Sequence, residues 1–440
     1  MLNFTVQRVQ VTIKQSVTPF KIVFCVLSIF CASCIAPKRN QTEKNIRTKL
    51  QHESYGNQFT GILVVDSETN DTLIAQNSAR YFLPASNVKL FTLYTGLKLL
   101  PEQIPTLGYF YENDTLHIEG TGDPSWLHPY FNDRTAVSFI KGYENIVLYL
   151  TNFQDGKFGP GWAWEDYEYY FSPERGALPL YGNVVNALKN DSLVILPKHF
   201  KAAFKIAENK NLRQQHTNEF ALSSTFNDTI EIPFITDNRL TQILLQKETG
   251  RQLTVGAQFP KGKKQILYGL PTDSIYRRML YESDNFLAEQ LMITASSMLS
   301  DTLRFNTARD AMLKVHLSNL RQQPRWVDGS GLSRYNLFTP ESMVQVLSKL
   351  LAEIPEKRLY HLLPTWDADG TIKEADESAE SDFIHAKSGG MGNTYNLSGY
   401  LTTKSGKVLV FSFMNNHFRI SSSEVRQNMY GILKSLHDSY

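Results

Sequence analysis

Apolar residues along this chain fall into blocks of different period. Phe59 to Val65 is a continuous apolar, β-branched run. Ser67 to Asp71 is polar and Thr72 to Ala75 is a second short run, so together they predict a β-hairpin. Asn87 to Leu100 is apolar on nearly every side and holds no Pro and only Gly96, which predicts a helix buried all round. From Pro101 to Lys264, short β-like runs such as Ile146 to Tyr149 and Ser192 to Leu196 sit among turn-rich, aromatic-rich stretches. Helical spacing returns from Ser274 to Leu320, with Met279, Leu280, Leu287, Leu291 and Met292 on the apolar positions. Asn396 to Leu401 and Val408 to Met414 flank a Thr402 to Lys407 turn, a second hairpin, and a helix is expected from Ser423 to Leu436. Helices between two strand pairs predict one split α/β (α+β) domain, residues 59–105 and 265–440, interrupted by a mostly β insertion at 106–264.

The amino-terminal block differs from all of these. Basic Arg8, Lys14 and Lys21 precede an apolar run from Ile22 to Phe30, too short to cross a bilayer, which ends in Cys31-Ala32-Ser33-Cys34. Residues 1–34 therefore read as an export signal, and 35–58, polar from Lys38 to Gln51, as a tether. Cys34 after small residues resembles a bacterial lipoprotein signal, with Cys31 where an aliphatic residue is usual. That resemblance implies lipidation of Cys34 and membrane anchoring. All three cysteines lie in the signal, so the mature chain is expected to have no disulfide and no cysteine metal site.

Composition narrows the class further. A chain of 440 residues with 42% hydrophobic and 20% charged residues is a packed globular protein, long enough for more than one core or a large insertion. Its net charge of +2 supplies no field for nucleic acid, and no such partner is expected.

Three short motifs carry chemistry. Ser86-Asn87-Val88-Lys89 sets a hydroxyl and an amine one helical turn apart, a nucleophile with a resident base. Lys89 must be neutral to accept a proton, and the helix dipole and a second cation, for which Lys387 is the candidate, would both lower its pKa. Ser138-Phe139-Ile140-Lys141 repeats the pattern, but no helix-start signal precedes it, whereas Ser86 opens a buried helix after Pro84-Ala85. Ser283-Asp284-Asn285 offers a hydroxyl and a carboxamide at a polar break in the helical block; the simpler reading is a helix cap. Lys387-Ser388-Gly389-Gly390 opens a glycine-rich edge before the last hairpin, where a cation, a hydroxyl and bare backbone suit a substrate carboxylate. Lys404-Ser405-Gly406 has the same letters inside the hairpin turn, where turn chemistry explains them.

In this order, the three motifs match the set shared by penicillin-binding proteins and serine β-lactamases. Gly120-Thr121-Gly122-Asp123-Pro124, Gly161-Trp162-Ala163-Trp164-Glu165-Asp166 and Asp328-Gly329-Ser330-Gly331-Leu332-Ser333-Arg334-Tyr335-Asn336 narrow the match. With them, the chain from about Phe59 onward resembles the D-alanyl-D-alanine carboxypeptidase/endopeptidase family of class C low-molecular-mass penicillin-binding proteins. The resemblance implies a transpeptidase-like fold with an antiparallel sheet flanked by helices. It also implies an insertion between the first two motifs, for which the stretch of about two hundred residues from Ser86 to Ser283 leaves room.

It further implies roles. Ser86 attacks the penultimate D-alanine carbonyl of a peptidoglycan stem peptide, Lys89 is the base, and Ser283 relays the proton to the leaving amine. Asn285 holds the substrate peptide, Lys387 and Ser388 its carboxylate, and the backbone N–H groups of Ser86 and Gly390 its oxyanion, with Gly389 part of the same edge. No metal or cofactor enters, and β-lactams are expected as covalent inhibitors. The family's usual Lys-Thr-Gly-Thr is here Lys387-Ser388-Gly389-Gly390, which keeps the first hydroxyl and loses the second.

Other readings fit less well. A Ser-His-Asp hydrolase lacks a Gly-x-Ser-x-Gly elbow, and His385 and His417 have no nucleophile to serve. A β-lactamase needs no long insertion, and Glu165, its candidate deacylation base, sits in the aromatic stretch typical of the peptidases. A non-catalytic peptidoglycan-binding relative would be free to lose the six motif side chains that are intact here. Ser86→Ala is expected to abolish covalent labelling by a penicillin while Ser138→Ala leaves it intact; labelling retained by Ser86→Ala contradicts the assignment.

Overall fold

The computed structural model describes residues 41–51, 53–189, 192–207, 211–366, 372–373 and 383–440. The expected signal segment and Cys34 lie outside the described residues.

A seven-stranded antiparallel sheet forms the centre, in the order Ile372–Lys373, Thr365–Trp366, Ile384–Met391, Thr394–Thr402, Val408–Asn416, Phe59–Asp66, Thr72–Gln76. Both expected hairpins are present, and Phe59–Asp66 pairs with Val408–Asn416 along its whole length, so the first and last strands of the fold are neighbours. Phe59–Asp66, Thr394–Thr402 and Val408–Asn416 bury both faces, which explains why these runs are largely apolar instead of alternating. One face meets the helices Lys89–Leu99, Thr272–Tyr281, Asn285–Ser297 and Pro340–Glu353. The other meets the carboxy-terminal helix Ser422–Ser439 through Met429, Ile432, Leu433 and Leu436.

Lys89–Leu99 and Asn285–Ser297 are buried nearly all round, as their mainly apolar sequences require. Asp284 caps the second of these, its carboxylate accepting from the N–H of Leu287 at 2.9 Å. Thr339 caps Pro340–Glu353 in a box with Ser342, with Pro340 in the first turn.

Residues 103–271 build a second core. A five-stranded sheet runs Leu253–Val255, Asn145–Tyr149, Thr115–Gly120, Gln103–Glu112, Gln265–Pro271, beside a three-stranded sheet and a two-stranded pair. Helices Thr135–Lys141 and Asn238–Thr249 pack on it, so the region is mixed α and β. The expected limits at 105/106 and 264/265 cut this unit: Gln103–Glu112 crosses the first, and Gln265–Pro271, placed beyond the second, pairs with it. Backbone pairing between strands so distant in sequence is invisible to local pattern.

Two further differences follow from burial. The expected helix from Asn87 begins as a tight 3-10 turn, Ala85–Val88, and becomes α-helical only from Lys89. The expected tether is also partly folded. Residues 41–50 are helical and bury Ile46 and Leu50 in the core beneath the sheet, two apolar positions that a polar average conceals. Leu50 is 3% exposed. Leu50→Ala is therefore expected to lower unfolding free energy by about 2–3 kcal/mol in a denaturant titration, where a flexible tether would show no change.

Candidate active site

Ser86 is held by the backbone on each side of it. Ala85 takes φ +46°, a left-handed conformation that turns the chain sharply after Pro84. Upstream, the Leu83 N–H donates to Asn416 Oδ1 at 2.7 Å, and the Leu83 carbonyl accepts from Asn396 Nδ2 at 2.9 Å. Downstream, Asn87 is fully buried; its Nδ2 donates to the Lys387 carbonyl at 2.5 Å and its Oδ1 accepts from Ser398 Oγ at 3.1 Å. The nucleophile turn is thus bolted to the Lys387 strand, Ile384–Met391.

Close approach explains two glycines. A Cβ on Gly389 would lie 2.6 Å from the Pro84 carbonyl oxygen and 2.9 Å from the backbone nitrogens of Ser86 and Asn87. A Cβ on Gly331, whose φ is +85°, would lie 1.9 Å from the Ala85 carbonyl oxygen. Gly389, expected on the substrate side, serves instead as the seat of the nucleophile turn.

Lys89 Nζ lies 3.0 Å from Ser86 Oγ, 2.7 Å from Asn285 Oδ1 and 2.8 Å from the Ser330 carbonyl oxygen. Burial lowers its pKa to about 8, while the charges of Asp284, Asp328 and Glu289 oppose that shift. Burial therefore does the work expected of a helix dipole and a second cation. Lys387 is also fully buried. Its amine, donating to the Ser388 carbonyl at 2.9 Å, is held well below the usual lysine range by burial first and by Lys89 second.

Asn285 spans two units: Oδ1 accepts from Lys89, and Nδ2 donates to the Phe171 carbonyl at 3.0 Å. The carboxamide expected to hold substrate is thus already committed to the base. Ser283 sits in the turn before it at φ +54° and lines the cleft; among the described residues its hydroxyl has no hydrogen-bond partner. Strand alternation puts Ser388 on the face opposite Lys387 and Gly389, the face that Tyr395 takes on the neighbouring strand. Gly390, which lines the cleft, shares the face of Ser388 on this strand.

The cleft itself has a volume of 860 Å³ and is lined by Ser86, Ser283, Asn285 and Gly390, with Glu165, Asp166 and Arg334 also on its wall. The decoys stand apart. Ser138 is exposed on the helix Thr135–Lys141, which does form although no start signal announces it. Lys404 pairs with Asp438 at 2.8 Å in the hairpin turn. His385 stacks on Tyr360 and His417 meets Phe59 edge-on. Among the described residues, no cluster of His, Cys, Asp or Glu is arranged to hold a metal.

Sequence reasoning left Asn87, Glu289 and Arg175 without roles. Asn87 lay between the two motif residues, and its place at the start of a helix expected to be buried all round was the signal available. Glu289, a charge within the apolar run Phe286 to Met292, was a signal for a buried partner, whereas Arg175, beside Glu174, carried none.

A serine and a buried amine within hydrogen-bond reach, at the junction of an antiparallel sheet and a helical layer, define a serine acyl-transferring enzyme of the penicillin-recognising class. The comparisons sharpen this. The chain belongs to the D-Ala-D-Ala carboxypeptidase 3 (S13) family, whose model matches residues 42–234 and 257–436. It is a hydrolase of that carboxypeptidase class. It is 22% identical to penicillin-sensitive carboxypeptidase A of Dictyostelium discoideum, over 82% of this chain and 83% of that protein. It is also 22% identical to D-alanyl-D-alanine carboxypeptidase DacB of Haemophilus influenzae, over 81% and 85%. The crystal structure of penicillin binding protein 4 (dacB) from Haemophilus influenzae has the same fold, with a TM-score of 0.68 at 20% identity, covering 89% of this chain and 99% of that one.

Gly389→Ala tests the packing under the nucleophile. It is expected to slow acylation by a penicillin about a hundredfold, the scale of a misplaced reacting group, while the far-ultraviolet spectrum is retained. A rate within about threefold of the unaltered protein contradicts that role.

Proposed function

We propose that Ser86 is the nucleophile and Lys89 its general base in removing the terminal D-alanine from peptidoglycan stem peptides. The observation that carries this is the trio of acceptors around Lys89 Nζ. A neutral amine has two N–H groups and one lone pair. With the N–H groups given to Asn285 Oδ1 and the Ser330 carbonyl, the lone pair faces the Ser86 hydroxyl proton. Once protonated, the ammonium donates to all three oxygens, so both charge states are satisfied without rearrangement.

Ser86 Oγ adds to the carbonyl of the penultimate D-alanine as its proton passes to Lys89. The oxyanion is received by the backbone N–H groups of Ser86 and Gly390, both on the cleft wall. Collapse breaks the peptide bond, and the leaving amine takes its proton through Ser283, whose hydroxyl is uncommitted. Water then hydrolyses the ester, with Lys89 again the base. Lys387 supplies positive charge toward the substrate carboxylate from behind the strand, and that carboxylate in turn favours the protonated lysine. Asn285 holds Lys89 in register, and the Ser388 hydroxyl, on the strand face of Gly390, donates to the same substrate carboxylate. A β-lactam acylates Ser86 by the same first step. The peptidoglycan substrate places the chain outside the cytoplasm, consistent with export by residues 1–34 and anchoring through lipidated Cys34.

The pH dependence follows in sign from the base. Only neutral Lys89 accepts the proton, so the acylation rate rises with pH through about 8 and falls about tenfold per unit below it. A stopped-flow or quench series with a fluorescent penicillin checks this; a rate that is flat down to pH of about 5 contradicts Lys89 as base.

A further inference from the structure

Beneath Lys89, two consecutive peptide units are gripped at both ends. The Gly329 carbonyl accepts from Thr92 Oγ1 at 2.6 Å, and the N–H of the same unit, on Ser330, donates to Glu289 Oε1 at 2.8 Å. In the next unit, the Ser330 carbonyl accepts from Lys89 Nζ at 2.8 Å and the Gly331 N–H donates to Asp328 Oδ1 at 2.8 Å. Ser330 is therefore held between Glu289 on one side and the base on the other.

Glu289 does not stand alone. Its Oε2 meets Arg175 Nη1 at 3.1 Å, and both side chains are 1% exposed. Arg175 comes from the inserted segment, where it also donates to the Gly156 carbonyl through Nε at 3.1 Å and Nη2 at 2.8 Å. Asp155 lies 3.6 Å away. A buried ion pair of this kind is a poor source of net stability, because desolvation offsets most of the attraction. Its value here is what it holds in place.

We propose that Glu289, held by Arg175, is a positioning residue for the Ser86–Lys89 pair, so that the inserted segment is linked to the reaction centre through Ser330. The proposal rests on Lys89 being the base. Arg175 is the cation facing Glu289, and Asp328 and Lys89 are the other charges near it. Asp284, Asp328, Glu289 and Lys387 surround Lys89. Asp328 is saturated by donors from Gly331, Ser333, Asn336 and Trp162. Burial first and Asp328 second raise the Glu289 carboxyl to about 7 against the opposing pull of Arg175 and Ser330, so it is ionised at pH of about 8, where Lys89 titrates. That charge stabilises the protonated form of Lys89, so losing it makes the amine more acidic.

The test is the rate of acylation of the full chain by a fluorescent penicillin between about pH 6 and 10. Glu289→Gln removes the charge and is expected to move the acid limb down by about half a pH unit. Glu289→Asp keeps the charge but is too short to reach both Ser330 and Arg175. Its limb is expected to stay in place while the plateau falls about tenfold, the scale of one lost charged hydrogen bond. A limb unmoved or moved upward in Glu289→Gln, or a plateau unchanged in Glu289→Asp, overturns the proposal. Should Glu289→Gln fail to fold, the Glu289→Asp plateau decides alone. Lys89→Arg, run alongside, must abolish acylation; if it does not, the base assignment has failed rather than the Glu289 link.

Discussion

Lys89 Nζ, enclosed without solvent among Ser86 Oγ, Asn285 Oδ1 and the Ser330 carbonyl, is the constraint around which the rest of the structure is arranged. Burying an amine is costly unless its hydrogen bonds are met, and meeting them fixes where three separate segments must lie. Asn285 has to open a helix beside the nucleophile helix. The loop from Asp328 has to fold under it, and the Phe171 carbonyl has to reach across from the insertion to hold Asn285. The cost brings a return in chemistry, since the same burial brings the amine to about pKa 8, where it can take a proton from a serine.

The central sheet supplies the other half of the geometry. The Lys387 strand carries glycine where it touches the nucleophile turn, and Asn87, Asn396 and Asn416 stitch that turn to three neighbouring strands. Each bond is to backbone, so the position of Ser86 is set by main-chain geometry and does not depend on the rotamers of long side chains. The insertion adds its own supports from the opposite side: Arg175 to Glu289, Trp162 Nε1 to Asp328 Oδ2 at 3.0 Å, and Phe171 to Asn285. A region that local sequence pattern presents as an interruption is therefore a wall of the site.

What could be read from the sequence was what depends on short range. Two hairpins, the buried helices and the serine and lysine one turn apart are local patterns, and each is present. The limits of the insertion were not legible, because Gln103–Glu112 and Gln265–Pro271 meet only through pairing across more than a hundred residues. Side-chain direction was a second blind spot. Ser388 sits between Lys387 and Gly389 in the sequence, yet the pleat turns it to the opposite face, toward Tyr395. A carboxamide in a motif likewise gives no sign of whether it faces substrate or, as Asn285 does here, the base. Ile46 and Leu50 are two apolar residues in a polar stretch, and no average over that stretch could show that they reach the core.

The most direct measurement is time-resolved mass spectrometry of the purified chain mixed with a peptide ending in D-Ala-D-Ala, with released D-alanine followed in the same samples. The account predicts release of D-alanine together with a transient acyl adduct that maps to the peptide containing Ser86. D-alanine released without any adduct, or an adduct mapping to another residue, would contradict it.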